Sequence, residues 1–354
     1  MTRIEKLREA LVRRDLDAVV LFSDPAVRWA SGFAFTDGAV AVTRECAVLL
    51  TDSRYIEAAE VGARDVDVRL YDAEHRLTDR LRDALAGCGR IGAEADSLPH
   101  ARWEALGKAL GHDLICADAL MTELRAVKTP EEVAAITEAQ RIAERAFDEM
   151  LRFIRPGVTE KELAAELTYR MLRLGGEGNS FDPITITGAN TSKPHGVPGD
   201  AAVRPGDFVT MDFGTIVDGY HSDMTRTVAV GEPSEEMRRV YDTVLRAQAA
   251  GIALMTPAHT GAEVHNAAAA VIAEAGYGDF FGHGFGHGVG LEIHEAPSAS
   301  PRNSEPLPAG AVVTAEPGIY LPGRFGVRIE DMILVTEDGN ENLTAAPKEL
   351  LIID

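Results

Sequence analysis

Gly206-Asp-Phe-Val-Thr-Met-Asp-Phe-Gly214, with Tyr-His-Ser-Asp223 soon after it, decides the fold, because Gly310-Ala-Val-Val-Thr-Ala-Glu-Pro-Gly318 repeats its plan. At a constant offset of 104 residues, Gly206, Val209, Thr210, Asp212 and Gly214 fall on Gly310, Val313, Thr314, Glu316 and Gly318. A carboxylate meets a carboxylate.

Each copy is a β-branched run ending in an acid and a glycine, then a turn signal, then a second run carrying another acid. That pattern predicts a hairpin. A two-residue turn at Asp218-Gly219 sets Gly214 opposite Asp223, so Asp212 shares a face with Asp223 as its diagonal neighbour, roughly 7–8 Å away at the backbone. A three-residue turn of Pro322, Gly323 and Arg324 sets Glu316 directly opposite Glu330.

Four carboxylates converging in an interior repel one another and are costly to desolvate unless a multivalent cation neutralises them. Any one of them alone reads as a solvated hairpin residue or a turn cap. Asp212 and Glu316, however, follow apolar runs and recur in register, which favours a metal site.

Between the copies lies Phe281-Gly-His-Gly-Phe-Gly-His-Gly-Val-Gly-Leu-Glu-Ile-His-Glu295. So many glycines exclude a stable helix, each costing about 1 kcal/mol against alanine, and the run reads as extended chain. His283 and His287 then share a face. His294 converges with them only if a bulge or bend falls near Gly288 or Gly290. Neutral imidazole suits both metal ligation and proton shuttling. His195, in the polar loop Gly188-Ala-Asn-Thr-Ser-Lys-Pro-His195-Gly, is mounted where functional groups often are, although a lone loop histidine is commonly just a surface residue.

Outward from the hairpins, helix pairs precede both copies: Glu131–Ile154 with a second helix from Thr159 to Leu174, then Ser234 to about Met255 with Ala262–Ala275. The expected architecture is an internal duplication around a common sheet. Thr129, Pro130 and Glu132 form a capping box, marking a domain start near residue 126. Residues 1–125 alternate helical and strand patterns, an α/β domain in which Asp52 or Ser53 is a candidate helix cap.

The chain has 354 residues and a formal charge of −21, room for two domains and no basic surface for nucleic acid or an anionic membrane. No apolar run approaches a membrane span, and the charged, amphipathic opening is unlike a signal peptide, so a cytoplasmic location is expected. Cys46, Cys88 and Cys116 are odd in number and widely spaced, which argues against disulfides and zinc ribbons and suggests buried apolar residues.

Met-Asp212-Phe-Gly, Ser-Asp223-Met-Thr-Arg-Thr, Gly-His287-Gly-Val-Gly-Leu-Glu-Ile-His294-Glu-Ala-Pro, Ala-Glu316-Pro-Gly-Ile-Tyr and Gly-Val-Arg328-Ile-Glu330-Asp together resemble the pita-bread metallopeptidases. The whole chain resembles their Xaa-Pro aminopeptidase and Xaa-Pro dipeptidase (prolidase) branch. Residues 1–125 are similar to its creatinase-like N-terminal domain, through Trp29-Ala-Ser-Gly-Phe33 and Asp52-Ser-Arg-Tyr55, and 126–354 to the α+β catalytic domain with its pseudo-two-fold duplication.

The resemblance implies five metal ligands, Asp212, Asp223, His287, Glu316 and Glu330, holding two divalent ions. Manganese is favoured, with cobalt, zinc or iron as alternatives. It further implies Glu316 as general base, His294 on the scissile carbonyl and its oxyanion, His195 as substrate ligand or proton shuttle, His283 in the proline pocket, and Arg328 orienting the substrate and its carboxyl side. The implied substrates are small peptides with proline second, and the implied assembly is a homodimer.

Some dipeptidases carry an arginine just after the His-Glu-x-Pro segment, whereas here Ser298 follows Pro297 and Arg302 comes too late. That departure favours an aminopeptidase over a prolidase. A non-hydrolytic peptide-binding module is the remaining alternative, opposed by the complete ligand set.

Overall fold

The structure is a computed structural model describing residues 1–354, and its contacts divide the chain into Met1–Arg125 and Ala126–Asp354. In the first unit, six strands form one sheet in the order β4-β3-β2-β1-β5-β6. These are β1 (Ala18–Leu21), β2 (Gly38–Thr43), β3 (Ala47–Thr51), β4 (Asp67–Leu70), β5 (Ile91–Ala93) and β6 (Ile115–Cys116). The β1-β2-β3 meander is antiparallel, while β4, β5 and β6 join in parallel. Near-continuous apolar runs in β1, β2 and β3 fit strands buried on both faces.

Two expectations fail in this unit. The helix after β3 starts only at Ile56, and neither Asp52 nor Ser53 caps it. Asp52 instead accepts from the backbone N–H and guanidinium of Arg54, an Asx turn that delays the helix. Cys46 and Cys88 are half-buried against the core, but Cys116 is exposed on the edge strand, its thiol donating to Asp118.

The second unit opens with two capped helices. Thr129 and Glu132 make a complete capping box for Pro130–Met150, as do Thr159 and Glu162 for Glu160–Arg173. The first stops at Met150, short of Ile154, and continues as a turn. The strands are β7 (Ile184–Thr187), β8 (Phe208–Phe213), β9 (Ile216–Val217), β10 (Tyr220–His221) and β11 (Met224–Val230). Helices Glu235–Ile252 and Gly261–Glu274 follow, the first capped by Ser234 and the second by a Thr260/Glu263 box. Then come β12 (Gly286–Gly288), β13 (Glu295–Ala299), β14 (Val312–Ala315), β15 (Gly318–Leu321), β16 (Phe325–Arg328), β17 (Asp331–Thr336), β18 (Gly339–Asn342) and β19 (Ile352–Ile353).

Both hairpins have the expected register. Asp218 and Gly219 take positive φ of 48° and 72°, a type I′ turn, and the ladder pairs Tyr220 with Val217 and Asp212 with Thr225. In the second, Leu321 pairs with Phe325 and Ala315 with Asp331, which leaves Glu316 facing Glu330 where the ladder is interrupted at Pro317.

The duplication does not share one sheet. The first hairpin belongs to a four-stranded sheet, β19-β11-β8-β7, and the second to a five-stranded one, β13-β12-β14-β17-β18. One backbone bond and the Thr227 side chain bridge the seam, and the sheets meet there without merging. Glu330 N–H donates to Thr225 O, while the Thr227 hydroxyl donates to Arg328 O. Separate apolar clusters lie beneath, one with Phe147, Leu163, Met211 and Phe213, the other with Val244, Phe285, Val313 and Ile333.

Candidate active site

Where the two hairpins meet, Asp223, His287 and Glu330 present atoms that all lie within 4.8 Å of one another. His287 Nε2 is 3.5 Å from Asp223 Oδ2 and 3.4 Å from Glu316 Oε1. Its Nδ1 faces Gly288 O at 3.2 Å, so the tautomer protonated there turns the Nε2 lone pair on the acids. Asp212 completes the group from β8, paired with Arg328.

Burial and mutual repulsion dominate the electrostatics. Burial, then the charges of Glu330, Asp212 and Glu316, push the Asp223 carboxyl well above its ordinary range. Glu330 is pushed the same way by burial, Glu316 and Asp212, and Glu316 is raised chiefly by burial. Asp212 Oδ1, Asp223 Oδ1 and Glu330 Oε1 are buried without a hydrogen-bond partner. Native interiors seldom leave such atoms unpaired. Three orphaned carboxylate oxygens beside a lone-pair imidazole fit a multivalent cation, and an oxygen-rich set with one imidazole suits a divalent one.

These acids floor a cavity of about 1050 Å³ that also reaches His195, His283, His294, Phe181, Ile293 and Tyr320. Every site residue expected from the sequence lines it. The bend that brings His294 in is a bulge between His287 and Gly288, and the two rings lie 4.2 Å apart at 71°. Burial lowers the pKa of His283, His287 and His294, favouring neutral rings.

All three guanidinium nitrogens of Arg328 are engaged within the protein. Its Nε donates to Thr225 Oγ1, Nη1 to Pro194 O and Tyr320 Oη, and Nη2 to Asp212. Burial opposes its charge, but Tyr320, Asp212, Glu316 and Glu330 outweigh that and hold its pKa above the usual value. Tyr320 Oη, 2.9 Å from Arg328 Nη1, lies 3.0 Å from His283 Nε2, and burial pushes its hydroxyl up to about 12.

Tyr320 has no role in the sequence argument, although strand parity signals it: it is four residues beyond Glu316. Thr225 and Thr314 are likewise missed. Thr225 donates to Glu330 Oε2 at 2.6 Å and Thr314 to Glu316 Oε1 at 3.2 Å, orienting both acids. The i+2 spacing within each acidic stretch was the available clue.

Comparison with known proteins agrees with this geometry. Residues 134–337 match the model of metallopeptidase family M24, and residues 3–127 match the creatinase/prolidase N-terminal domain. An Xaa-Pro dipeptidase of Pyrococcus horikoshii is 35% identical over 351 residues, covering 99% of this chain and 98% of that protein. Among solved structures, an Xaa-Pro dipeptidase from Bacillus anthracis superposes with a TM-score of 0.95 at 40% identity, covering 99% of each chain. An X-Pro aminopeptidase from Thermotoga maritima gives 0.92 at 36% identity, covering 98% of this chain and 100% of that one. The chain belongs to metallopeptidase family M24 and carries that family's creatinase/prolidase type of N-terminal domain.

Proposed function

We propose that the protein is an Xaa-Pro aminopeptidase, releasing the N-terminal residue of peptides whose second residue is proline. The observation that carries this is the set of orphaned carboxylate oxygens on the floor of a cavity ringed by His195, His283 and His294. Membership of a metallopeptidase family implies a divalent metal. Asp212, Asp223, His287, Glu316 and Glu330 would hold two such ions, manganese by preference. When bound there, such ions would lower the pKa of a water and would offset charge on the carbonyl oxygen.

The chain's own residues supply the rest. Glu316 takes the proton of the attacking water and later delivers it to the leaving proline nitrogen. His294 donates to the oxyanion as the tetrahedral centre forms. His195 lies among the cavity-lining residues and binds the peptide or relays a proton. His283, held by Gly284 O and Tyr320, walls the proline ring. Arg328 acts on the substrate through the groups it holds, Asp212, Tyr320 and the Pro194 carbonyl.

That commitment of Arg328 bears on peptide length. No other arginine or lysine lines the cavity, so no uncommitted cation there reads a dipeptide's carboxylate. At about 1050 Å³ its volume is also slightly above the ~300–1,000 Å³ usual for small-molecule sites, ample for more than two residues. The second reading, an Xaa-Pro dipeptidase, is favoured by relatives of that name at 35–40% identity over nearly the whole chain.

Chromatography of products from Ala-Pro and Ala-Pro-Ala, offered together to manganese-loaded protein with a chelated control, tests both. Free alanine with Pro-Ala supports the aminopeptidase. Cleavage of Ala-Pro alone replaces it with the dipeptidase, and no metal-dependent cleavage refutes both. The homodimer belongs to the same proposal, and sedimentation of an active preparation as monomer alone overturns it.

A further inference from the structure

Lys128 and Glu295 form an ion pair inside the second unit, with Nζ 2.8 Å from Oε1 and side chains only 1% and 7% exposed. Taking both charges out of water is costly, and an apolar pair of similar volume commonly packs as well or better. Such a pair is weak evidence for stability and invites a functional explanation.

Glu295 directly follows His294 and begins β13. Its carboxylate lies against the bare α-carbon of Gly290, where a methyl group would collide with it. Glu292 N–H points at Oε2 from 3.4 Å, and Gly290 N–H donates to Glu292 O at 3.0 Å. The carboxylate therefore closes the neck of the 290–295 loop. At the end of that loop the His294 ring stands 4.2 Å from that of His287.

Lys128 comes from a fixed base. Its N–H donates to Gly310 O at 2.9 Å, its Nζ also donates to Ala126 O at 3.3 Å, and Thr129 beside it caps a 21-residue helix. The ammonium carried on that base thus meets the carboxylate at the neck of the 290–295 loop.

We propose that Lys128 and Glu295 are positioning residues: their buried ion pair sets the 290–295 loop so that His294 faces the carbonyl oxygen of the bond being cut. The inference rests on the role given to His294 above. A displacement of about 1 Å at such a group can cost on the order of 10²-fold in rate.

The test compares full-length manganese-loaded Lys128→Met, Glu295→Gln, the double variant and a His294→Ala control on Ala-Pro and Ala-Pro-Ala. Thermal melts of each, and spectra of ring-labelled histidines in the metal-free proteins, accompany the kinetics. Each single variant should lower kcat by about 10²-fold with KM within about threefold of the parent. The double should be no worse than either single, and Lys128→Arg should recover most of the rate. The His294 ring signal should shift in both singles while that of His265 stays in place.

Gly290→Ala should reproduce the loss with the ion pair chemically intact, which keeps the test alive if a charge variant fails to fold. Singles that melt lower yet keep parental kcat and an unmoved His294 signal overturn the proposal and leave the pair a stabilising contact. If His294→Ala itself keeps parental kcat, the role of His294 falls, and the ring signal still decides whether the pair sets the loop.

Discussion

Thr225, opposite Asp212 on the first hairpin, donates its hydroxyl to Glu330 of the second at 2.6 Å, and so couples the two halves of the duplication. The same oxygen accepts from Arg328 Nε at 3.1 Å. Thr225→Val keeps the shape and removes both bonds, so two buried charged groups each lose a partner, at about 1–3 kcal/mol apiece. Groups that orient metal ligands are typically worth about 10–100-fold in affinity. Calorimetric metal titration should show a loss of that size, with a lower denaturant midpoint; unchanged affinity would remove Thr225 from the site.

Asp223 is buried among Glu330, Asp212 and Glu316, and its carboxyl is raised by desolvation first and by those charges second. Asp223→Ala should therefore abolish turnover and yet raise the melting temperature of the metal-free protein, because a carboxyl that must either hold a proton or sit charged among other acids is gone. Retained turnover would sink the two-ion mechanism.

The same shifts give a pH dependence with a definite sign. Asp223 and Glu330 have folded pKa values raised above their unfolded values, so the folded chain binds more protons than the unfolded one between the ordinary carboxylate range, about 4, and the raised values. Across that window metal-free stability falls as pH rises. A bound cation competes with those protons, each one displaced being worth about 1.4 kcal/mol per pH unit. The thermal gain on adding manganese should thus be larger at pH 7 than at pH 5, and equal gains at the two pH values would argue that the acids are already ionised in the metal-free fold.

Much of this site was legible because it depends on local rules. Asp218-Gly219 allows only a tight turn there, and the period of two then carries the register to Asp212 and Asp223 without tertiary knowledge. The glycines around His287 announced the bulge that brings His294 round. The commitment of Arg328 was not legible, since its partners Asp212, Tyr320, Thr225 and Pro194 lie on four separate segments that meet only in the fold. The single common sheet failed for a related reason: repeat offset reports equivalence of the halves, whereas the contacts that bridge the seam, such as the Thr227 bond to Arg328 O, form only in the fold. Cys116 went astray because two-residue edge strands escape any periodicity argument.

Glu160, fully buried at the first turn of its helix, holds the loop that carries His195. Oε1 accepts from Thr187 N–H at 2.8 Å and Asn190 Nδ2 at 2.9 Å, and Oε2 accepts from Gly199 N–H at 2.8 Å. One carboxylate thereby ties both ends of residues 188–199, and the helix N-terminus favours its charge. Glu160→Ala strands three donors, at about 1–3 kcal/mol for each that water does not reach. Glu160→Gln keeps an acceptor for the Oε1 pair but sets an amide donor against Gly199 N–H, so its loss should be smaller and centred on the 196–199 end. Urea unfolding should rank parent, Gln and Ala in that order. Amide exchange should rise at Gly199 in the Gln variant, and at Thr187 as well in the Ala variant. If exchange in the Gln variant rises at Thr187 and not at Gly199, the division of labour between the two oxygens is wrong.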